Sequence, residues 1–122
     1  MKTIAELLDF YYSGLQRKSG WEEVIDDNFK FTGGKNMTDA AVLGKDAYVQ
    51  IMNRFYPLFA AMRVKDRMTQ EDRAYVRTNY DYAFPNGNKA SADVIEVWTA
   101  SDGKLTSRTT FNDTYSIDRM MK

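Results

Sequence analysis

The chain contains no cysteine and no histidine. Without cysteine there is no disulfide, no thiolate nucleophile and no thiolate metal site. Without histidine there is no side chain whose unperturbed pKa lies near neutrality, which excludes histidine-based serine triads and the usual zinc sites. Acid–base chemistry would have to come from carboxylates, tyrosines, lysines or arginines tuned by their surroundings. An excess of charge of one sign is missing too. Lys and Arg number 17, Asp and Glu 17, so nothing global draws the chain to nucleic acid or an anionic membrane. No apolar run approaches the roughly 18 residues of a membrane span. The first residues, MKTIAELLDF, carry acids and helical periodicity instead of a basic region followed by an apolar one. They point to a cytoplasmic protein without a signal peptide.

What is present is a folded composition, 43% hydrophobic and 14% aromatic over 122 residues. No repeat, low-complexity tract or linker divides it, so residues 1–122 form one domain with a core of its own. Thr3 and Glu6 make a capping box, after which Ile4, Leu7, Leu8, Tyr11 and Leu15 recur at helical spacing with Tyr11 near the centre of the stripe. Ser19 and Glu22 repeat the box before WEEVI, where Trp21 anchors a short helix. NFKF, residues 28–31, reads as a strand ending at Gly33-Gly34. A second long helix starts near Gly44, with Tyr48, Ile51, Met52, Phe55 and Phe59 on one face and Pro57 near its end. Three strand-like stretches follow: AMRVKDRMT, DRAYVRTNYDYAF and ADVIEVWTASDGKLTSRTTFND. In the first, Met62, Val64 and Met68 alternate with Arg63, Lys65 and Arg67, a core face against a wet one. Helices first and an antiparallel meander after them predict an α+β layer protein, helices packed on a curved, mainly antiparallel sheet.

Asn86-Gly87 and Asp102-Gly103 are preferred dipeptides of two-residue hairpin loops. Counting outward from both sets a register in which Arg77 faces Glu96, Tyr75 faces Trp98, Asn79 faces Val94, Glu96 faces Thr109 and Val94 faces Phe111. One sheet face then collects Tyr75, Arg77, Asn79, Glu96, Trp98, Thr109, Phe111 and Asp113. The other collects Val76, Thr78, Tyr80, Ile95, Val97, Thr99, Arg108 and Thr110. A slip of one residue in either loop would exchange the faces of a strand. Because both faces carry apolar side chains, one is expected to cover the helices and the other to meet a second copy of the chain. The charged cluster among aromatics resembles a ligand pocket, apolar with a few placed polar groups.

The order of elements, with the helix–tryptophan–DDNFKF entry, GKDAYVQIMNRFYPLF and the hairpin EVWTASDGKLTSRTTFND, resembles the nuclear transport factor 2-like superfamily, particularly its SnoaL-like branch. The resemblance implies a cone-shaped α+β (cystatin-like) fold with a pocket between sheet and helices, and a homodimer through the outer sheet face. It implies no single activity. Against the ketosteroid isomerases, Tyr11 matches the tyrosine and Glu96 the protonated acid, while Thr32 stands near the place of the base. Against the SnoaL-like polyketide cyclases, Asp113 matches the acid–base aspartate. Against the limonene-epoxide hydrolases, Arg77, Asp113 and Asn36 match, while Asn79 and Gly34 replace an aspartate and a tyrosine.

Two readings follow. In the first the protein binds a small apolar, ring-sized molecule bearing a carbonyl or epoxide. As an enzyme it would need no cofactor and no metal, with Asp113 carrying the proton, Arg77 orienting or stabilising an anion beside Glu96, and Tyr11, Tyr75, Asn79, Trp98 and Phe111 lining the site. In the second it is a non-catalytic binding or dimerisation module whose polar cluster satisfies only itself. A catalytic cluster must be reachable, whereas a structural network is closed and fully hydrogen-bonded. Arg63, Lys65 and Arg67 form a solvated strand face, so no nucleic-acid partner and no membrane partner are expected.

Overall fold

The computed structural model of the chain describes residues 2–33 and 41–111. Helix α1 (Ile4–Arg17) opens on the expected capping box, the Thr3 hydroxyl accepting from the Glu6 amide while the Glu6 carboxylate accepts from the Thr3 amide. Its buried stripe is Ile4, Leu7, Leu8, Tyr11, Tyr12 and Leu15. The chain then doubles back tightly. A Cβ on Gly14 would lie 2.7 Å from the Trp21 backbone nitrogen and 3.0 Å from the Ser19 carbonyl, so only glycine allows this approach. The reversal delivers Trp21 to the core in a 3₁₀ turn, Trp21–Val24. The Ser19–Glu22 box expected there does not form, since the turn starts after Gly20 (φ 86°) with no side-chain cap.

Strands β1 (Ile25–Thr32) and β2 (Val42–Leu43) precede α2 (Lys45–Phe55), and Pro57 sits in the 3₁₀ turn Tyr56–Leu58 that ends the helix. The meander follows as β3 (Phe59–Gln70), β4 (Arg73–Ala83), β5 (Lys89–Ser101) and β6 (Lys104–Phe111). The six strands form one sheet in the order β2-β1-β6-β5-β4-β3, antiparallel except for the β1–β6 pair. Helices α1 and α2 cover one face, and the core lies between, from Leu7, Leu8 and Tyr48 on the helices to Val76, Trp98 and Leu105 on the sheet. This is the α+β architecture expected. The alternation expected for β3 holds only at its start. Met62 is buried, but a bulge between Val64 and Asp66 breaks the period, and Val64 and Met68 are exposed. Among the described residues no helix is long and apolar enough to cross a membrane.

The register differs from that counted out of the turns by one residue on each side of β5. At the β5–β6 turn Asp102 and Gly103 both have positive φ (54° and 75°) and Ser101 pairs with Lys104, so the two-residue loop forms as expected. A bulge then intervenes: Ala100 pairs with Leu105 but Thr99 with Ser107, leaving Thr106 as the extra residue. The Thr99 hydroxyl bonds both Thr106 and Ser107 across it. At the β4–β5 turn only Gly87 has positive φ (88°), so the type I′ loop that needs it at Asn86 as well is absent. The Phe84 amide donates to the Asn88 carbonyl and the Gly87 amide to the Phe84 carbonyl, enclosing Pro85-Asn86-Gly87 as a three-residue loop. Pro85, with φ fixed near −65°, suits the first corner of such a turn.

Candidate active or binding site

Both slips have the same consequence. Val76, not Arg77, lies opposite Glu96, and Arg108 lies opposite Trp98. The inner face therefore carries Val76, Thr78, Tyr80, Val94, Glu96, Trp98, Arg108 and Thr110, all buried. The outer face carries Tyr75, Arg77, Asn79, Ile95 and Phe111, exposed or half-exposed. The expected Arg77–Glu96 pair does not exist.

Glu96 is instead paired with Arg108, Nη2 to Oε2, at 0% and 4% side-chain exposure. The carboxylate accepts two further hydrogen bonds, from the Tyr12 hydroxyl at 2.5 Å and the Tyr80 hydroxyl at 2.8 Å. Tyr12 in turn accepts from Trp98 Nε1 at 3.0 Å. On the arginine side, Nη1 donates to the Tyr48 hydroxyl at 2.8 Å and to the Tyr11 hydroxyl at 3.3 Å, these two oxygens lying 2.6 Å apart. Nε donates to the Thr110 hydroxyl at 2.9 Å. The guanidinium also faces the rings of Phe31 and Trp98, each 5.5 Å from its central carbon. α1 contributes Tyr11 and Tyr12 on consecutive residues, α2 contributes Tyr48, β1 contributes Phe31, and β4, β5 and β6 supply the rest. A buried ion pair is tolerable only when its remaining donors and acceptors are satisfied in this way.

Burial pushes the phenols of Tyr11, Tyr12 and Tyr80 well above their ordinary value; the Glu96 charge adds to this as the second cause at Tyr12 and Tyr80. Burial also raises Tyr48, with Arg108 opposing. Burial opposes the charge of Arg108, but Glu96 and the phenols around it prevail and hold its pKa well above that of an ordinary arginine. The phenols and the guanidinium therefore keep their protons at neutral pH, and Glu96 is the acceptor in all three of its bonds. The cluster is a set of fixed dipoles, and the acid-donor role that the isomerase resemblance implied for Glu96 does not fit it.

The other expected site residues are scattered. Tyr11 and Trp98 join the cluster as buried wall. Asn79 lies on the outer side, where it accepts from Arg63 at 2.6 Å and donates to Asp93 at 2.9 Å, beside an Arg63–Asp81 ion pair of 2.7 Å. Tyr75, Arg77 and Ile95 border an outer-face groove together with Asp66 and Met68, about 180 Å³ in volume. Phe111 is 59% exposed. Asp113, Asn36 and Gly34 lie outside the described residues. Arg108, Tyr12, Tyr48 and Tyr80 were not among the expected site residues. The signal for Arg77 was in β4 and the residue after it: Val76, Thr78, Tyr80, Tyr82 and Phe84 fall on one face of the period, against Arg77, Asn79 and Asp81 on the other. Arg77→Ala is accordingly expected to change the free energy of unfolding by less than about 0.5 kcal/mol. Chemical denaturation measures it, and a loss several times larger would restore the pairing counted from the turns.

A model of the SnoaL-like domain matches residues 11–108, a span that runs from the first tyrosine of the cluster to its arginine. The chain belongs to the SnoaL-like family. Solved structures of family-like fold superpose over nearly the whole chain. A nuclear transport factor 2-like protein from Burkholderia thailandensis E264 is 16% identical, with 100% of this chain and 99% of that one covered at a TM-score of 0.88. TerC, crystallised with polyporic acid, is 18% identical over 96% of both chains at 0.82. A protein assigned to the SnoaL-like polyketide cyclases, from Jannaschia sp. CCS1, is 17% identical over 96% of this chain and 90% of that one, also at 0.82. At such identities the likeness establishes the nuclear transport factor 2-like fold. No curated protein matches the sequence. This SnoaL-like chain has no group of His, Cys, Asp and Glu able to hold a metal among its described residues.

Proposed function

We propose that this SnoaL-like protein is a small-molecule-binding protein that takes a flat, largely apolar, ring-sized molecule against the inner face of its sheet, with the Glu96–Arg108 cluster as a rigid polar floor. The observation that carries this reading is the aromatic wall beside the cluster. Tyr80 and Tyr82 on the inner face of β4 and Phe84 just past its end follow one another, with ring centroids 6.0 and 5.9 Å apart, and Phe59 on β3 packs 5.0 Å from Tyr80 and 5.5 Å from Tyr82. Phe55 and Phe59 are only partly buried, and flat apolar ligands are held by walls of this kind. Among the described inner-face groups the hydroxyls and the guanidinium keep their protons and Glu96 is committed to three donors, which favours binding over proton transfer. TerC, a structural relative, was crystallised with polyporic acid, which supports the small-molecule reading.

Titration with acetophenone, followed by two-dimensional NMR, tests the reading. Saturable shifts are expected at Phe59, Tyr80, Tyr82 and Phe84, and shifts confined to the outer face would end it. A catalytic version assigns the proton to Asp113. Turnover of an aromatic ketone or epoxide that disappears in Asp113→Asn would replace the binding reading with that one.

The partner in this proposal is a second copy of the chain. Met68, Tyr75, Ile95 and Phe111 are 67%, 47%, 40% and 59% exposed on the outer side of the sheet. Arg63, Asp66, Arg77 and Asp81 surround them with charges of both signs, as a self-complementary two-fold contact requires. Sedimentation of the wild type as a dimer and of Ile95→Asp as a monomer is the expected result. A monomeric wild type at high micromolar concentration would sink this part.

A further inference from the structure

On the aromatic wall one polar atom is out of place. Tyr82 is 7% exposed, and alternation along β4 puts its side chain on the inner face between Tyr80 and Phe84, both buried. The Tyr80 hydroxyl is consumed by Glu96. The Tyr82 hydroxyl has no hydrogen-bond partner among the described residues; its ring contacts are Phe59, Tyr80 and Phe84. Buried hydroxyls are ordinarily satisfied, and an exception calls for an explanation. The group is close enough to the ion pair to feel both charges, since burial first and Glu96 second raise its pKa while Arg108 opposes them. It therefore stays protonated and presents a donor. An unmet donor in apolar surroundings is the more costly half of a hydroxyl to leave idle.

We propose that Tyr82 is the specificity-determining residue of the inner face, its hydroxyl donating a hydrogen bond to the carbonyl oxygen of a bound aromatic ketone whose ring lies along Phe59 and Phe84. This rests on the reading that the inner face takes a small molecule. It adds to that reading which atom selects the ligand, and from which strand. Tyr82 acts by binding alone. A site built around one placed donor rejects an analogue lacking the acceptor more strongly than an apolar wall rejects a change of shape.

The test pairs acetophenone with α-methylstyrene, an isostere in which a methylene replaces the carbonyl oxygen. Dissociation constants for both are measured by NMR titration with the wild-type chain and with Tyr82→Phe. In the variant the preference for acetophenone over α-methylstyrene is expected to fall by about 3- to 10-fold, the worth of one neutral hydrogen bond, with the α-methylstyrene constant unchanged. If both probes bind and the preference survives Tyr82→Phe, the assignment of Tyr82 is wrong while the small-molecule reading stands. If neither probe binds the wild type, that reading fails and takes the assignment with it. Thermal unfolding without ligand gives an independent check. Tyr82→Phe is expected to melt at or above the wild-type temperature. A Tm several degrees lower would mean that the hydroxyl already has a partner within the chain, which overturns the proposal.

Discussion

Replacing Arg108 by methionine is expected to lower the free energy of unfolding by about 3–5 kcal/mol, enough to unfold a domain of ordinary stability. Methionine fills much of the volume, so packing is not the main loss. The loss comes from Glu96, which at 0% exposure is left as a carboxylate without its counter-charge, and from the hydroxyls of Tyr11 and Tyr48, which lose their common donor. The double variant Glu96→Gln/Arg108→Met should cost less than Arg108→Met alone. The amide oxygen can still accept from one of the Tyr12 and Tyr80 hydroxyls while the amide NH2 donates to the oxygen of the other, and no buried charge remains. Such a reversal in a double-mutant cycle is the signature of directly coupled residues. Chemical denaturation of the wild type, the two single variants and the double supplies all four corners. If Arg108→Met lost less than about 1 kcal/mol, or the double were the least stable of the set, the pair would not be the organising contact of the interior.

The second large effect appears in alkali. Five phenols, those of Tyr11, Tyr12, Tyr48, Tyr80 and Tyr82, have pKa values raised by burial. The unfolded chain gives up these protons near pH 10 and the folded chain holds them to higher pH. Below pH 10 both states are protonated and this contribution to stability is fully present. Above it the unfolded state binds fewer protons, so stability falls as pH rises, by about 1.4 kcal/mol per pH unit for each phenol. Five together approach about 7 kcal/mol per pH unit. Set against about 5–15 kcal/mol of total stability, unfolding should be complete within about one to two units above pH 10. Circular dichroism and tyrosinate absorbance followed together from pH 8 to 12 read this out, and the two signals should change in one step. Secondary structure persisting at pH 12 while absorbance climbed gradually would show that the phenols are not held as described.

Much of the fold was legible because it depends on coarse features. The capping box at Thr3, the two amphipathic stripes and the run of strand-like segments each survive an error of a residue or two. The site did not share that tolerance, because which side of a sheet a side chain occupies turns on single residues. Asp102-Gly103 forms the loop its dipeptide suggests, yet the bulge at Thr106 just beyond it undoes the count. Asn86-Gly87 suggests the same loop, but Pro85 immediately before it makes the turn longer by one. The two errors moved the neighbours of Glu96 from the inner face to the outer, so Arg77 was offered as the partner in place of Arg108. The period of β4 and the residue after it, with all five inner positions from Val76 to Phe84 7% exposed or less and aromatic from Tyr80 to Phe84, was a more robust guide than the turn. Neither face of β5 is free of apolar residues, so there the period alone could not decide. Tyr12 escaped notice for a related reason: beside Tyr11 it is off the centre of the α1 stripe, although the broad buried arc of the helix includes it.

The extra residue in β6 also bears on how a chain of this kind changes over generations. Loss of the single codon for Thr106 would remove the bulge yet leave Ser107 opposite Thr99 and Arg108 opposite Trp98, so the guanidinium would stay inward on a regular strand. Length variation inside a strand is usually counted as damage, but at this point of β6 the loss of one residue keeps every inward side chain, whereas a loss beyond the bulge would exchange the two faces from there on.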